Sequence, residues 1–159
     1  MATRALTLRV AGARDIAAVD ALMAGAFDPR FGEAWTRGQC LGVLALPGVA
    51  LLVAEVDDEP AGFAMTRRVL DEAELLLLAV APEHRGHGVG GALLRAAAAE
   101  AAAAGCAKLH LEVRDGNPAT RLYQRHGFAK MGERRGYYRG VGGLLHDAHS
   151  YGAALPLAY

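Results

Sequence analysis

Residues 85–91 read Arg-Gly-His-Gly-Val-Gly-Gly, with four glycines packed between an apolar run and an alanine-rich stretch. The apolar run, 75–81, stops at Pro82, and the alanine-rich stretch predicts a helix to about Ala104, with Gly105 as its C-cap. Glycines let several backbone N–H groups turn toward one point, and a new helix adds its positive end there. Such a turn binds phosphate or pyrophosphate. Which phosphate-bearing ligand it takes depends on the elements around it.

Those elements follow from periodicity. Residues 6–10 alternate like a strand. Asp15 opens an amphipathic helix with Ile16, Val19, Leu22, Met23 and Phe27 on one face, broken at residues 28–32. A second helix is expected over 33–46, ending at Pro47-Gly48. Residues 49–56 and 61–68 read as a hairpin around a turn at 57–60, and a further strand ends at Ala81. Beyond the alanine-rich helix come a strand at 108–113, a short helix at 118–126, a strand at 128–138, a flexible loop at 140–143 and a last strand at 148–157. The order β-α-α-β-β-β-α-β-α-β-β predicts an α/β (α+β) domain over residues 1–159, with helices packed on a mixed sheet.

Two templates fit the glycine turn. Gly86, Gly88 and Gly91 satisfy the GxGxxG dinucleotide fingerprint, and Glu112 ends a strand where a ribose-binding acid would sit. Against this, residues 81–85 separate the strand from the first glycine, three antiparallel-looking strands precede the motif, and too little chain follows for a second half-sheet. The other template, R/Q-x-x-G-x-G/A, is met by Arg85, Gly88 and Gly90. With Asn117, Leu122-Tyr123 and Gly127-Phe128 downstream, the chain resembles the GNAT superfamily of acetyl-CoA-dependent N-acetyltransferases. Residues 70–73, Leu111-Glu112-Val113-Arg114 and Arg134-Arg135-Gly136-Tyr137-Tyr138 resemble the ribosomal-protein-alanine N-acetyltransferases in particular. The likeness covers about residues 50–140.

That resemblance implies a GNAT fold, a mostly antiparallel sheet of about seven strands flanked by helices. Amides of Gly86, His87, Gly88, Val89, Gly90 and Gly91 would hold the pyrophosphate of coenzyme A, with Arg85 at the entrance. For Arg85 a solvated surface position is the plain alternative. Backbone groups of Leu78, Ala79 and Val80 would pair with the pantetheine arm, and an amide near Ala79 or Val80 would stabilise the oxyanion. Glu112, facing away from Leu109, Leu111 and Val113, would take the proton of the incoming ammonium; a surface ion pair is its alternative. A protein α-amine titrates near ~8, so neutralising it at pH 7 costs only about 1.4 kcal/mol, against roughly 4.6 kcal/mol for lysine near ~10.4. One carboxylate base suits the α-amine. Tyr123 resembles the family's general acid, its alternative being a tyrosine packed on the sheet. Asn117 resembles a cofactor contact, but lies six residues before Tyr123, one fewer than in the close subfamily.

Other residues are weaker candidates. His110 shares a face with Glu112 and is expected to be a packed histidine rather than a proton relay. His146, Asp147 and His149 have metal-like composition without further ligands, so no metal is expected. Tyr137, Tyr138, Phe31 and Trp35 either line an acceptor channel or pack. Residues 28–40 and 136–146 depart most from the subfamily, which leaves the acceptor open between a protein N-terminus, alanine by resemblance, and a small amine or amino acid. A non-catalytic acyl-CoA sensor is the reading from a different class.

The whole chain sets outer bounds. It has 159 residues, 53% of them apolar, and 17 basic against 17 acidic side chains. Zero net charge gives no reason to expect nucleic acid or an anionic membrane as partner, so anion affinity must be local. Cys40 and Cys106 lack redox or metal spacing. Residues 1–4 precede strand-like alternation rather than a signal core, and the apolar stretch from Ala96 is interrupted by Glu100 and Gly105. A reduced cytoplasmic protein, monomer or homodimer, is expected. The two templates separate in one thermal-shift panel: coenzyme A raises the melting temperature and NAD does not. The reverse result restores the dinucleotide reading.

Overall fold

The computed structural model describes residues 4–158; residues 1–3, part of the N-terminal reading above, lie outside the described residues. The strands are β1 (Leu6–Ala11), β2 (Val49–Val56), β3 (Glu59–Val69), β4 (Glu72–Val80), β5 (Lys108–Arg114), β6 (Ala129–Arg139) and β7 (Leu145–Ala154). The helices are α1 (Ile16–Ala26), α2 (Arg37–Leu44), α3 (Val89–Ala103) and α4 (Ala119–Arg125). The strands form one seven-stranded sheet in the order β1-β2-β3-β4-β5-β7-β6. Among the described residues only β4 and β5 pair in parallel, and α3 makes the crossover that a parallel pair requires. The expected mixed, mostly antiparallel sheet of seven strands is what forms. Among the described residues no helix is long and apolar enough to cross a membrane.

Each face of the sheet carries its own core. On one face α3 buries Val89, Leu93, Leu94, Ala97, Ala98 and Ala101 against Leu75, Leu109, Leu111 and Val113. The helix is largely alanine where it meets the sheet, so the backbones approach closely at little cost in helix propensity. On the other face Val19, Leu22 and Met23 of α1 and Cys40 of α2 cover Val53, Phe63, Met65 and Leu77. A fully buried leucine or phenylalanine contributes about 1.5–3 kcal/mol, so these two layers hold the sheet from both sides.

The largest departures from the sequence expectation lie in α2 and β7. Residues 33–36 are not helical: Thr36 is the N-cap of α2 and exchanges a capping box with Gln39, so the helix starts at Arg37 rather than 33. The last strand starts at Leu145 rather than 148, pairs with both β5 and β6, and stops at Ala154. Its early start follows from the long β6–β7 hairpin, in which Tyr138 and Arg139 pair with His146 and Leu145.

The tip of that hairpin is locked to a single turn of 3-10 helix at Pro29–Phe31. Val141 N donates to the Pro29 carbonyl at 3.1 Å, and His146 Nε2 bonds the Arg30 carbonyl at 3.1 Å. The crossing needs glycine on both sides. A Cβ at Gly32 would lie 2.0 Å from the Arg139 carbonyl oxygen, and one at Gly140 would lie 1.6 Å from that of Arg30. Gly140→Ala therefore forces the two segments apart. A loss of about 1–3 kcal/mol in urea unfolding is expected, the ordinary cost of overpacking. An unchanged midpoint would show that the crossing adds no stability.

Candidate active site

The site begins where a ladder stops. β4 and β5 are paired only from Glu72–Lys108 to Leu75–Leu111, yet β4 runs on to Val80 and β5 to Arg114. Leu76 is an extra residue in β4 relative to β3, between the pairs Thr66–Leu75 and Met65–Leu77. Such a bulge bends and twists its strand and reverses the side-chain alternation beyond it. Accordingly Ala73 and Leu75 face α3, whereas Leu77 and Ala79 face α1. The strands diverge around a cavity of about 1050 Å³, lined by Leu78, Ala79 and Val80 as well as by the glycine turn and the start of α4. From Leu76 onward the β4 edge facing β5 has no partner strand.

The glycine turn closes one end. Pro82–His84 forms a 3-10 turn, and Gly86 and Gly88 take φ of +76° and +82°, which L side chains rarely adopt. Gly88 is the N-cap of α3, and the first intrahelical bond runs from Ala92 N to its carbonyl. The amides of Val89, Gly90 and Gly91 thus have no partner within the helix and form its positive end. Arg85 lines the cavity too, but its Nη2 donates to the Ala26 carbonyl at 2.8 Å, where it caps the negative end of α1. His87 is exposed and does not line the cavity.

Glu112 and Tyr123 both line the cavity, on β5 and α4. The Glu112 carboxylate is 15% exposed; Ser150 Oγ lies 2.9 and 2.8 Å from its two oxygens, and Arg134 Nε 3.5 Å from Oε1. Ser150 is the register partner of Glu112 on β7, so strand pairing itself supplies the hydroxyl. Tyr138 donates to the Glu112 carbonyl at 3.4 Å. The Tyr123 ring is buried edge-on against Phe128, with centroids 6.0 Å apart. Burial, reinforced by the nearby Glu33 carboxylate, raises the phenol pKa of Tyr123 above the ordinary tyrosine value, and the same two causes raise that of Tyr138. Both phenols stay protonated at neutral pH.

The wall opposite holds a cluster that the sequence reading missed. Glu33 accepts from Arg114 Nε at 3.0 Å and from Asn117 Nδ2 at 2.7 Å, with Glu33 and Arg114 side chains each 10% exposed. Arg114 also donates to the Asp115 carbonyl and lies 3.6 Å from the Phe31 ring centroid. Asn117 Oδ1 accepts from Ala119 N at 2.8 Å. Both polar ends of Asn117 are therefore engaged within the protein, at the start of α4 and at Glu33. Placing 33–36 in a helix hid Glu33; the Thr36–Gln39 capping pattern was the signal that could have freed it.

The remaining candidates have local roles. Phe31, Trp35, Tyr137 and Tyr138 all line the cavity, whereas His110 does not. His146 belongs to the hairpin lock, Asp147 Oδ1 accepts from Gly136 N at 2.9 Å, and His149 lies 3.8 and 3.7 Å from Asp115 and Glu133. Among the described residues no three candidate ligands meet as a metal site. Replacing Glu33 by alanine would leave Arg114 nine-tenths buried without its carboxylate. The expected cost is about 3 kcal/mol of unfolding free energy, read from urea melts, with Glu33→Gln losing less. Equal melts for all three proteins would show that the cluster does not hold the wall.

Known proteins share the sequence pattern and the fold. The sequence model of the Acetyltransferase (GNAT) family matches residues 18–128. The chain is 46% identical over 79 residues to the ribosomal protein bS18-alanine N-acetyltransferase of Escherichia coli K12, a stretch covering 49% of this chain and 53% of that protein. Against the Haemophilus ducreyi enzyme of the same name it is 36% identical over 105 residues, covering 65% and 72%. The crystal structure of the Escherichia coli S18-alanine N-acetyltransferase superposes with a TM-score of 0.83 at 29% identity, over 98% of this chain and 97% of that one. Arabidopsis thaliana NAA60 in complex with acetyl-CoA shares the fold, with a TM-score of 0.81 at 18% identity over 95% and 99%. The chain belongs to the GNAT family of acetyltransferases.

Proposed function

We propose that this chain, as one domain over residues 1–159, transfers the acetyl group of acetyl-CoA to the N-terminal α-amine of a ribosomal or other protein, with alanine as the acceptor residue. The observation that carries the reading is the divergence of β4 and β5, with an anion-binding turn at one end of the gap and Glu112 and Tyr123 lining it. The names of the Escherichia coli and Haemophilus ducreyi relatives support the acceptor. The cavity suits the donor: free amides at 89–91 meet its phosphates, and the unpaired β4 edge offers its amide-containing arm a strand to lie along.

Acetyl-CoA supplies an activated acyl carbon and a thiolate leaving group. Glu112, held by Ser150, takes a proton from the acceptor ammonium, and the freed amine attacks the acyl carbon. An amide near Ala79 or Val80 stabilises the charge that develops on the acyl oxygen. As the carbon–sulfur bond breaks, Tyr123 gives its phenolic proton to the sulfur, the nitrogen passes its surplus proton back to the Tyr123 phenolate, and Glu112 releases the first proton to solvent. Both substrates occupy the gap together, so no acyl-enzyme is needed. Acting on ribosomal proteins, the enzyme is placed in the cytoplasm.

The test is mass spectrometry of N-terminal ribosomal-protein peptides incubated with acetyl-CoA and the purified protein. A gain of one acetyl group on the α-amine is expected, and its absence from every α-amine sinks the protein-acceptor reading. Glu112→Gln and Tyr123→Phe should each lower kcat by about 10²-fold or more, and unchanged thioester turnover in both would remove them from the chemistry. Because burial raises the Tyr123 pKa, its proton is retained as pH rises. The wild-type kcat should therefore hold level to about pH 10, the ordinary tyrosine value. A decline already complete by pH 9 would identify a different acid.

A further inference from the structure

The carboxylate of Glu112 is held by a neutral donor. Glu112 on β5 pairs in register with Ser150 on β7, and Ser150 pairs on its other side with Gly132 of β6. Side chains opposite each other in register share a face of the sheet. Gly132 has none to offer, so the cross-strand partner left to the Ser150 hydroxyl is the Glu112 carboxylate. Oγ lies 2.9 Å from Oε1 and 2.8 Å from Oε2, centred between the two oxygens. A hydroxyl so placed gives a carboxylate one proton and leaves most of its lone pairs open.

A charged competitor stands close by. Arg134 on β6 pairs in register with Ala148, two residues along β7 from Ser150. Its guanidinium reaches Glu112 across β7, with Nε 3.5 Å from Oε1. That is beyond the roughly 2.7–3.2 Å of an N–H···O bond. Arg134 also lies over the Tyr137 ring, 5.5 Å from its centroid, and its side chain is 61% exposed. Arginine and carboxylate favour a bidentate pair with two parallel hydrogen bonds. A closure of about 0.7 Å would bring Nε to the distance of such a bond. A carboxylate paired in that way offers its lone pairs to the guanidinium and not to an acceptor ammonium.

We propose that Ser150 is a positioning residue for acetyl transfer: its hydroxyl holds the Glu112 carboxylate toward the cavity and out of a bidentate pair with Arg134. The inference rests on the reading of Glu112 as the base. Ser150 does not itself line the cavity, so it acts through Glu112 and not on the substrates. One hydroxyl proton fixes the place of the carboxylate, and lone pairs on both oxygens stay available to the incoming ammonium.

The experiment is steady-state kinetics with acetyl-CoA and an N-terminal ribosomal-protein peptide. It compares the wild type, Ser150→Ala, Ser150→Thr and the double variant Ser150→Ala with Arg134→Gln. Ser150→Ala should lower kcat about tenfold, the scale of one hydrogen bond to a charged group, and leave the KM for acetyl-CoA within about twofold. Ser150→Thr keeps the hydroxyl and suits a strand, so it should retain kcat within about threefold. In the double variant the competing guanidinium is gone, and kcat should rise at least about threefold above that of Ser150→Ala. A residue that merely packs would show no such recovery. A crystal structure of Ser150→Ala should show Glu112 joined to Arg134 by two hydrogen bonds. Wild-type kcat in Ser150→Ala, a double variant no faster than Ser150→Ala, or an unmoved Glu112 in that crystal overturns the positioning role while Glu112 remains the base. Full turnover by Glu112→Gln overturns both.

Discussion

The arrangement depends on four parallel residue pairs and no more. Between Glu72–Lys108 and Leu75–Leu111 the two halves of the sheet are joined, and past that point they separate. A longer ladder would close the cleft; a shorter one would leave the halves to be held by helices alone. The bulge at Leu76 accounts for the divergence on the β4 side. It also lets one strand serve both cores, with Leu75 packed under α3 and Leu77 under α1. The same irregularity that opens the gap therefore anchors its edge to both faces of the sheet, which keeps an unpaired strand edge rigid enough to align a ligand.

Charge is distributed along the gap in a consistent order. One end combines free helix amides with Arg95, Arg125 and His126, and the other holds the carboxylates of Glu112 and Glu33. Glu33 differs from Glu112 in its partners. It is matched by Arg114 and Asn117, whereas Glu112 meets a neutral serine hydroxyl and a more distant, exposed Arg134.

Much of this was legible in the sequence because it depends on local chemistry. The glycine spacing after Pro82 marks the turn, and the strand periods around it give the sheet its class. Glu112 stands out because it ends a strand on the face away from Leu111 and Val113. The partners of these residues were not legible. Ser150 meets Glu112 only because β7 lies between β5 and β6, a pairing of residues 38 apart that no local pattern encodes. Glu33 and Asn117 are 84 apart, and their bond is equally invisible to any local pattern. The Thr36 cap was readable, and overlooking it hid Glu33 within a helix.

The insertion of β7 between β5 and β6 also orders events in time. Chains emerge from the ribosome N-terminus first and fold as their parts become available. The glycine turn and α3 can meet β2, β3 and β4 early, but the core under α3 also needs β5 and β7. Glu112 gains its hydroxyl partner, and β5 its second neighbour, only after residues 145–154 have emerged and threaded into place beside β6, which is made before them. The core under α1, built entirely from residues up to Ala81, can therefore close before the core under α3, which waits for β5 and β7. A nascent chain passes through a stage with one finished core and a cleft that still lacks its β5 wall.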